Sequence, residues 1–390
     1  MTGDLLIRAP QLSDGRRVDI VIEAGRIAAL AAAGKATVAA GTAVIEAVDS
    51  IALPAFVDSH LHLDKTFWGQ PWISNRGGPT RRQYIAHEQE VLPLLPTSTE
   101  ERATALLKHL QSLGTLYLRS HVDISPEFGL RHMEAMLRVR EACAEDALQL
   151  VAFPQTGLLS RPGTLELMEE AMRLGADVVG GIDPAGFDND PMGHLRAIFA
   201  LAEHSGKPID LHLHDPGELG GWEIERIIHM TAAAGLAGRV MISHAYCLGA
   251  LPEAQVARIA GKLAELHISL MTAAPGWTSA PPVELLRQHG VVICSGSDGI
   301  RDAWSPFGSG DMLGRGNAIA ERFGWATDAE LRIALDVITQ GGASAMKLKD
   351  YGIEPGCRAD LVLLPVERPE EALTIPAIAR KVISRGRLLD

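Results

Sequence analysis

The stretch Val57-Asp58-Ser59-His60-Leu61-His62-Leu63-Asp64-Lys65 carries two histidines, one residue apart, at the end of an apolar run. Side chains alternate between the two faces of a β-strand, so His60 and His62 project from the same face. Two imidazoles on one face can hold a metal ion, although such a pair alone also fits a hydrogen-bonded or interfacial role. The rest of the chain decides between these interpretations.

Eight short runs rich in Val, Ile and Leu alternate with longer segments of helical periodicity. The runs fall at residues 57–63, 116–123, 148–156, 178–184, 208–214, 240–246, 268–274 and 291–298. Eight β/α units in series predict an α/β fold, a closed parallel (β/α)8 TIM-like barrel.

The two ends of the chain differ from this core because they read as short strands separated by glycine turns. We expect residues 1–54 and 350–390 to meet in one small β-sandwich domain, and residues 55–349 to form the barrel domain. The alternative is that the terminal strands form unrelated edge hairpins.

Composition excludes several classes of partner. The net charge of the 390-residue chain is −12, and its 36 lysines and arginines are scattered, so we expect no nucleic-acid partner. The chain has neither a signal-peptide pattern nor an apolar run of about 18 residues, so we expect no membrane partner. Its four cysteines lie far apart, with no C-x-x-C pair, which favours a cytoplasmic location.

Active sites of such barrels form at the carboxyl ends of the strands. Nearly every run ends here in polar or ionisable residues, namely His60, His62, Lys65, Arg119, His121, Asp123, Gln155, Asp183, His212, His214, Asp215, His244 and Asp298. Burying an unpaired polar group costs roughly a few kcal/mol. We therefore expect a ligand or a metal to satisfy several of them.

Three histidines and an aspartate suit a borderline divalent ion. We predict His60, His62, His212 and Asp298 as ligands of one ion, zinc first and iron(II) as the alternative. Such an ion makes hydroxide available at neutral pH, and Asp298 can accept the proton as general base. His244 is predicted to orient the water, or alternatively to support a ligand.

The ordered set His60-x-His62, His212, His244 and Asp298 resembles the amidohydrolase superfamily, whose motifs lie on strands one, five, six and eight of a barrel. The resemblance covers essentially the whole chain. Two-metal members share a carboxylated lysine at the end of strand four, whereas residues 178–183 contain no lysine. The resemblance therefore implies a mononuclear site.

Narrower matches point to the cytosine deaminase branch. Residues 151–157 and 173–180 resemble that branch, while residues 115–123, 212–215 and 306–312 resemble the alkylaminohydrolases of s-triazine degradation. These resemblances imply a small N-heterocyclic substrate and a homo-oligomer.

The resemblance also implies roles for individual residues. Cytosine deaminase has a glutamate where this chain has the shorter Asp215, so proton transfer falls either to Asp215 or to Lys65 and His214 together. Lys65 could instead only pair with Asp183 or another carboxylate. We predict four substrate contacts, of which Trp304 could alternatively pack a loop; they are Gln155, Asp183, His214 and Trp304.

Together these observations predict a metal-dependent hydrolase that releases an amine from an amino-substituted N-heterocycle. One alternative is a cyclic amide hydrolase that opens a ring. The other is a non-catalytic scaffold on the same fold.

Overall fold

The computed structural model describes residues 4–144 and 147–389, so residues 1–3, 145–146 and 390 lie outside the description. The chain divides into two compact units. One contains Met1–Asp58, Lys108–Tyr117 and Gly310–Asp390, and the other contains Ser59–Leu107 and Leu118–Ser309. The domain boundaries at residues 54 and 350 stay a prediction.

Six short strands come first along the chain. They are β1 (Leu5–Arg8), β2 (Gln11–Leu12), β3 (Val18–Glu23), β4 (Arg26–Ala32), β5 (Ala43–Glu46) and β6 (Ile51–Pro54). In β3, β-branched residues favour extended backbone, and Ile20 and Ile22 are buried two residues apart.

The eight predicted barrel strands follow, each close to its predicted range. They are β7 (Phe56–Leu61), β8 (Thr115–Asp123), β9 (Leu148–Phe153), β10 (Val178–Ile182), β11 (Ile209–Leu213), β12 (Val240–His244), β13 (Ser269–Met271) and β14 (Ile293–Cys294). They lie side by side in chain order, and the pairs from β8 to β14 run parallel. The predicted (β/α)8 barrel is confirmed.

The barrel closes where β7 meets the segment after β14. Leu61 and Asp298 form a parallel bridge, and the Asp298 N–H donates to the His60 carbonyl oxygen at 2.8 Å. A Cβ on Gly296 would lie 2.4 Å from that same oxygen, so only glycine permits this approach. We call this contact between the two segments the seam.

Helices connect the strands and continue beyond the barrel. They are α1 (Arg81–Val91), α2 (Thr99–Ser112), α3 (Arg131–Glu141), α4 (Thr164–Leu174), α5 (Pro184–Asp188), α6 (Pro191–Ser205), α7 (Gly217–Ala233), α8 (Glu253–Glu265), α9 (Val283–Gln288), α10 (Met312–Phe323), α11 (Asp328–Val337) and α12 (Gln340–Ala345). Among the residues described, no helix combines the length and apolarity needed to cross a bilayer.

Three strands end the chain, namely β15 (Leu361–Leu364), β16 (Lys381–Ser384) and β17 (Arg387–Leu388). One terminal sheet has the order β4-β3-β1-β5, and the other has the order β17-β16-β15-β6-β2. Ile20 of the first sheet and Leu361 of the second share one hydrophobic core. Both ends of the chain therefore build one small β-sandwich, as predicted.

Candidate active site

The four predicted metal ligands lie together at the carboxyl end of the barrel. His62 Nε2 lies 3.4 Å and His60 Nε2 3.9 Å from Asp298 Oδ1, and the ring centres of His60 and His212 are 4.5 Å apart. The three histidines are buried, whereas the Asp298 side chain is 37% exposed. The cluster therefore has one side open to solvent.

His121 belongs to the same cluster, although the sequence suggested no role for it. Its ring centre lies 4.0 Å from that of His60 and 4.5 Å from that of His212. The possible ligand atoms of these three histidines lie within 4.8 Å of one another, as do those of His60, His244 and Asp298. We call His60, His62, His121 and His212 the histidine cluster.

The cluster has the chemistry of a metal site. Within residues 4–144 and 147–389, both ring nitrogens of His212 and of His121 are buried without a hydrogen-bond partner. Burial and the neighbouring histidines hold the pKa of His212 well below its usual range. Buried neutral imidazoles with open lone pairs are suitable zinc or iron(II) ligands, so the residues present fit the ion that the sequence implies.

A polar chain orients His60 from behind. Arg119 Nη1 donates to Asp210 at 2.9 Å, and the Ser243 hydroxyl donates to the same carboxylate at 2.7 Å. Because that hydroxyl proton is used, Ser243 Oγ accepts from His60 Nδ1, 3.0 Å away. This network assigns the proton to Nδ1 and the ligand lone pair to Nε2 of His60.

His244 is the last residue of the barrel strand β12 and has a backbone conformation that L-residues rarely adopt, with φ of +73°. Its Nδ1 lies 3.2 Å from the Tyr246 hydroxyl, and its ring stacks on His214 with centres 4.3 Å apart. Burial, followed by His214, lowers the pKa of His244 to about 3. A neutral imidazole thus stands beside Asp298, which together with His60 completes its group of possible ligand atoms.

Asp183, predicted to accept from a substrate N–H, already has protein partners. His214 Nδ1 lies 3.1 Å from each of its carboxylate oxygens, and Arg81 of α1 lies 3.4 Å away. Asp183 is fully buried. The observed geometry therefore makes it a support for His214.

Asp215 lies at the amino end of α5. Its Oδ2 accepts from the Gly186 N–H at 3.0 Å, beside Glu223, which accepts from the Ala185 N–H at 3.0 Å. Burial and then Asp183 raise the pKa of Asp215, and burial and then Asp215 raise that of Glu223 to about 8. The two carboxyl groups therefore share protons near neutral pH. Glu223 was not singled out from the sequence.

Lys65 is buried and lies 3.7 Å from Glu88 of α1. Of the two pairings considered for it, Asp183 or another carboxylate, the structure shows the second. Glu88 was missed because it ends no hydrophobic run and lies in α1, between the first two barrel strands. The one local signal is the capping box that Thr80 and Gln83 form at its start.

Glu88 also contacts two predicted substrate-binding residues. Gln155 Nε2 donates to Glu88 Oε1 at 2.6 Å, and Trp304 Nε1 donates to Glu88 Oε2 at 2.8 Å. We call Lys65, Glu88, Gln155 and Trp304 the Glu88 network. The network joins Glu88 of α1 to residues in the segments that follow β7, β9 and β14.

Comparison with known proteins places the chain among enzymes. A model of the amidohydrolase family matches residues 80–390. N-isopropylammelide isopropyl amidohydrolase of Pseudomonas sp. (strain ADP) is 33% identical over 402 residues, covering 99% of this chain and 97% of that enzyme.

Two solved structures extend the match. N-isopropylammelide isopropylaminohydrolase from Burkholderia multivorans superposes with a TM-score of 0.95 at 38% identity, covering 99% of this chain and 98% of the other. 5-Methylcytosine deaminase from Klebsiella pneumoniae, liganded with 5-fluorocytosine, gives a TM-score of 0.86 at 26% identity, covering 100% and 97%. The predicted resemblance to the cytosine deaminase branch is confirmed. The chain belongs to the amidohydrolase family and is a hydrolase that acts on C–N bonds.

Proposed function

We propose that this enzyme is a metal-dependent deaminase that releases ammonia or an alkylamine from an amino-substituted N-heterocycle such as an aminopyrimidine or an aminotriazine. The observation that carries the proposal is the convergence of His60, His62, His212 and Asp298 at the carboxyl end of the barrel. Relatives named for N-isopropylammelide and 5-methylcytosine support the choice of ring.

The four residues would hold zinc, with iron(II) as the alternative. Such an ion supplies a Lewis acid that makes water nucleophilic at neutral pH. Ser243 keeps His60 in the tautomer that binds through Nε2, as its 3.0 Å contact with Nδ1 indicates.

Asp298 would accept the proton of the attacking water. Its side chain is open to solvent on one side and lies beside His62 and His60. His244 uses Nδ1 toward Tyr246, which leaves Nε2 to hydrogen-bond the water. A positioned base of this kind contributes about 10²–10⁴-fold to a rate.

The departing amine needs a proton. The raised pKa of Asp215 supports a role for this carboxyl group as a proton reservoir, and Asp183, whose charge contributes to that rise, also holds His214. Lys65 is an alternative donor, and its ammonium group lies 3.7 Å from the Glu88 carboxylate. Gln155 and Trp304 would bind the ring.

Ring opening is the less supported alternative because β10 ends in Gly-Gly-Ile, with no lysine for a second metal. A non-catalytic scaffold is less supported because the ligand set is intact. We also propose a cytoplasmic location and a homo-oligomeric state, both of which stay predictions from the sequence.

The test is to incubate zinc-loaded protein with cytosine, N-alkylaminotriazines and cyclic ureas, and to measure released ammonia, released alkylamine and product mass. Amine release together with an oxo product is expected. Addition of water without amine release would establish ring opening instead, and silence across the panel would overturn the deaminase proposal. Asp298→Asn should lose turnover; if it kept zinc and full turnover, Asp298 would not be the base.

A further inference from the structure

Glu88 is a fully buried carboxylate whose contacts come from other segments of the barrel mouth. Its Oε1 accepts from Gln155, while its Oε2 accepts from Trp304 and lies 3.7 Å from Lys65 Nζ. None of these contacts serves the proposed metal chemistry directly. Glu88 therefore needs a different explanation.

The contacts determine the direction of the Gln155 hydrogen bond. An indole N–H and an ammonium group can only donate, so Glu88 Oε2 is an acceptor. A carboxylate that pairs with Lys65 offers only acceptors, so Oε1 accepts as well. The Gln155 atom 2.6 Å from it must be the amide nitrogen, because two oxygens at that distance would repel each other.

This direction fixes the Gln155 edge that remains for a ligand. Glu88 accepts from one amide N–H. The carbonyl oxygen and the second N–H remain side by side, and the position of acceptor and donor along this edge is fixed. In the part of the chain that the structure describes, the Gln155 side chain makes its hydrogen bond through Nε2, to Glu88. Rotating the amide by 180° would exchange acceptor and donor, and Glu88 opposes that rotation.

The helix that carries Glu88 is itself anchored. Tyr84 stacks on Trp304 with ring centres 5.3 Å apart and planes 13° apart, and Arg81 pairs with Asp183 at 3.4 Å. Ile85 packs with Phe153 in a buried cluster. One helix thus positions both the Gln155 edge and the Trp304 ring.

We propose that Glu88 is a positioning residue that locks the donor–acceptor order of the Gln155 amide. It thereby selects rings with an oxo group beside a ring N–H over rings with an amino group beside an unprotonated ring nitrogen. This inference rests on the proposed function, because it takes Gln155 as a contact of the heterocycle. In a glutamine at position 88, Trp304 and Lys65 would hold the amide oxygen, so its N–H groups would face Gln155 and favour the opposite order of that amide.

The test compares ring pairs that share a leaving group and differ only in that edge. The first pair is cytosine and 2,4-diaminopyrimidine. The second is N-isopropylammelide and its counterpart with one oxo group replaced by an amino group. In the wild-type enzyme kcat/KM should favour the oxo member. In Glu88→Gln this preference should fall at least about tenfold, mainly through KM.

A double variant separates positioning from a merely structural role. Glu88→Gln combined with Gln155→Glu restores the contact between the two side chains but leaves only an acceptor at position 155. The preference should then shift toward the amino member. Glu90→Gln, on the exposed side of the same helix, should leave both the preference and the zinc content unchanged.

The outcomes distinguish this inference from the proposed function. If the wild type releases amine from neither pair, the proposed function falls and this inference falls with it. If the wild type prefers the oxo member and Glu88→Gln retains zinc and the same preference, only the inference is overturned. A double variant that folds, binds zinc and keeps the wild-type preference would also overturn it.

Discussion

The histidine cluster and the Glu88 network lie at the same mouth of the barrel and are buried to a similar depth, yet they are completed in opposite ways. In the cluster, His121 and His212 have no hydrogen-bond partner among the described residues for any of their ring nitrogens. In the network, both carboxylate oxygens of Glu88 accept hydrogen bonds from other side chains. The first region needs a ligand from outside the chain, whereas the second is completed by the protein itself.

The two regions show two ways in which the desolvation cost of a buried polar group is offset. A group that awaits a ligand makes stability depend on that ligand, through mass action. A group paired within the fold makes stability depend on its partner residue. Substitutions in the two regions should therefore have different signatures.

The largest expected effect is in the histidine cluster. His212→Ala should lose stoichiometric zinc and lower turnover by more than about 10²-fold, since one acid–base or Lewis-acid contribution alone is that large. It should also remove the fall in Tm that a chelator causes in the wild type. Metal analysis and thermal unfolding with and without chelator check this.

His204→Ala is the matched control, because His204 is exposed in the last turn of α6. Its zinc content and turnover should equal those of the wild type. A His212→Ala enzyme that kept one zinc per chain and full turnover would remove His212 from the site.

The next effect is in the Glu88 network. Lys65→Met should lower the free energy of unfolding by about 3–5 kcal/mol, because it leaves Glu88 buried without its cation. Burial opposes a charge on Lys65, but the surrounding carboxylates, Glu88 first, raise its pKa, so the lost charge is a full one. Urea unfolding at neutral pH measures the loss, and zinc content should stay at the wild-type value.

Lys262→Met, at an exposed position of α8, should change stability by less than about 0.5 kcal/mol. If Lys65→Met were as stable as the wild type yet inactive, Lys65 would act in the chemistry alone. That result would mean that the stability of the Glu88 network does not depend on the Lys65 partner, contrary to the comparison drawn above.

The smallest effect concerns Glu223. This residue fits neither description fully, because it is paired within the protein but shares protons with Asp215. Its pKa, raised to about 8 by burial and Asp215, means that the folded enzyme keeps a proton that the unfolded chain releases. Stability from this group is present at low pH and is lost as pH rises toward 8. Between pH 6 and 7, wild-type stability should fall relative to Glu223→Gln by up to about 1.4 kcal/mol.

Urea unfolding of both proteins at the two pH values gives this difference. Glu265→Gln, exposed on α8, serves as the control and should show the same pH trend as the wild type. A Glu223→Gln trend equal to that of the wild type would mean that Glu223 is ionised in the folded enzyme.

The histidine cluster was largely predictable from the sequence. Its members end hydrophobic runs, and a period of two places His60 and His62 on one face. Chain order then brings His212 and Asp298 to the same edge of a parallel barrel. His121 also ended a run, but periodicity does not show that its ring lies 4.0 Å from that of His60.

The Glu88 network was not predictable in the same way. Glu88 lies in a helix inside a long connection, and its partners Gln155 and Trp304 are remote in sequence, so only tertiary packing brings them together. The same applies to Asp183, whose pairing with Arg81 depends on where α1 lies. The positions of residues at the strand ends follow from strand periodicity and chain order, whereas the positions of residues in the connections do not.

The seam of the barrel has a consequence for folding during synthesis. The ribosome releases His60 and His62 early and Asp298 late, so for most of its synthesis the chain holds an incomplete set of the proposed ligands on an unclosed sheet. We therefore expect tight metal binding only after the last barrel strand has reached the first. Because a side chain at position 296 would press on the His60 carbonyl group, one substitution of Gly296 would disturb ring closure and chemistry together.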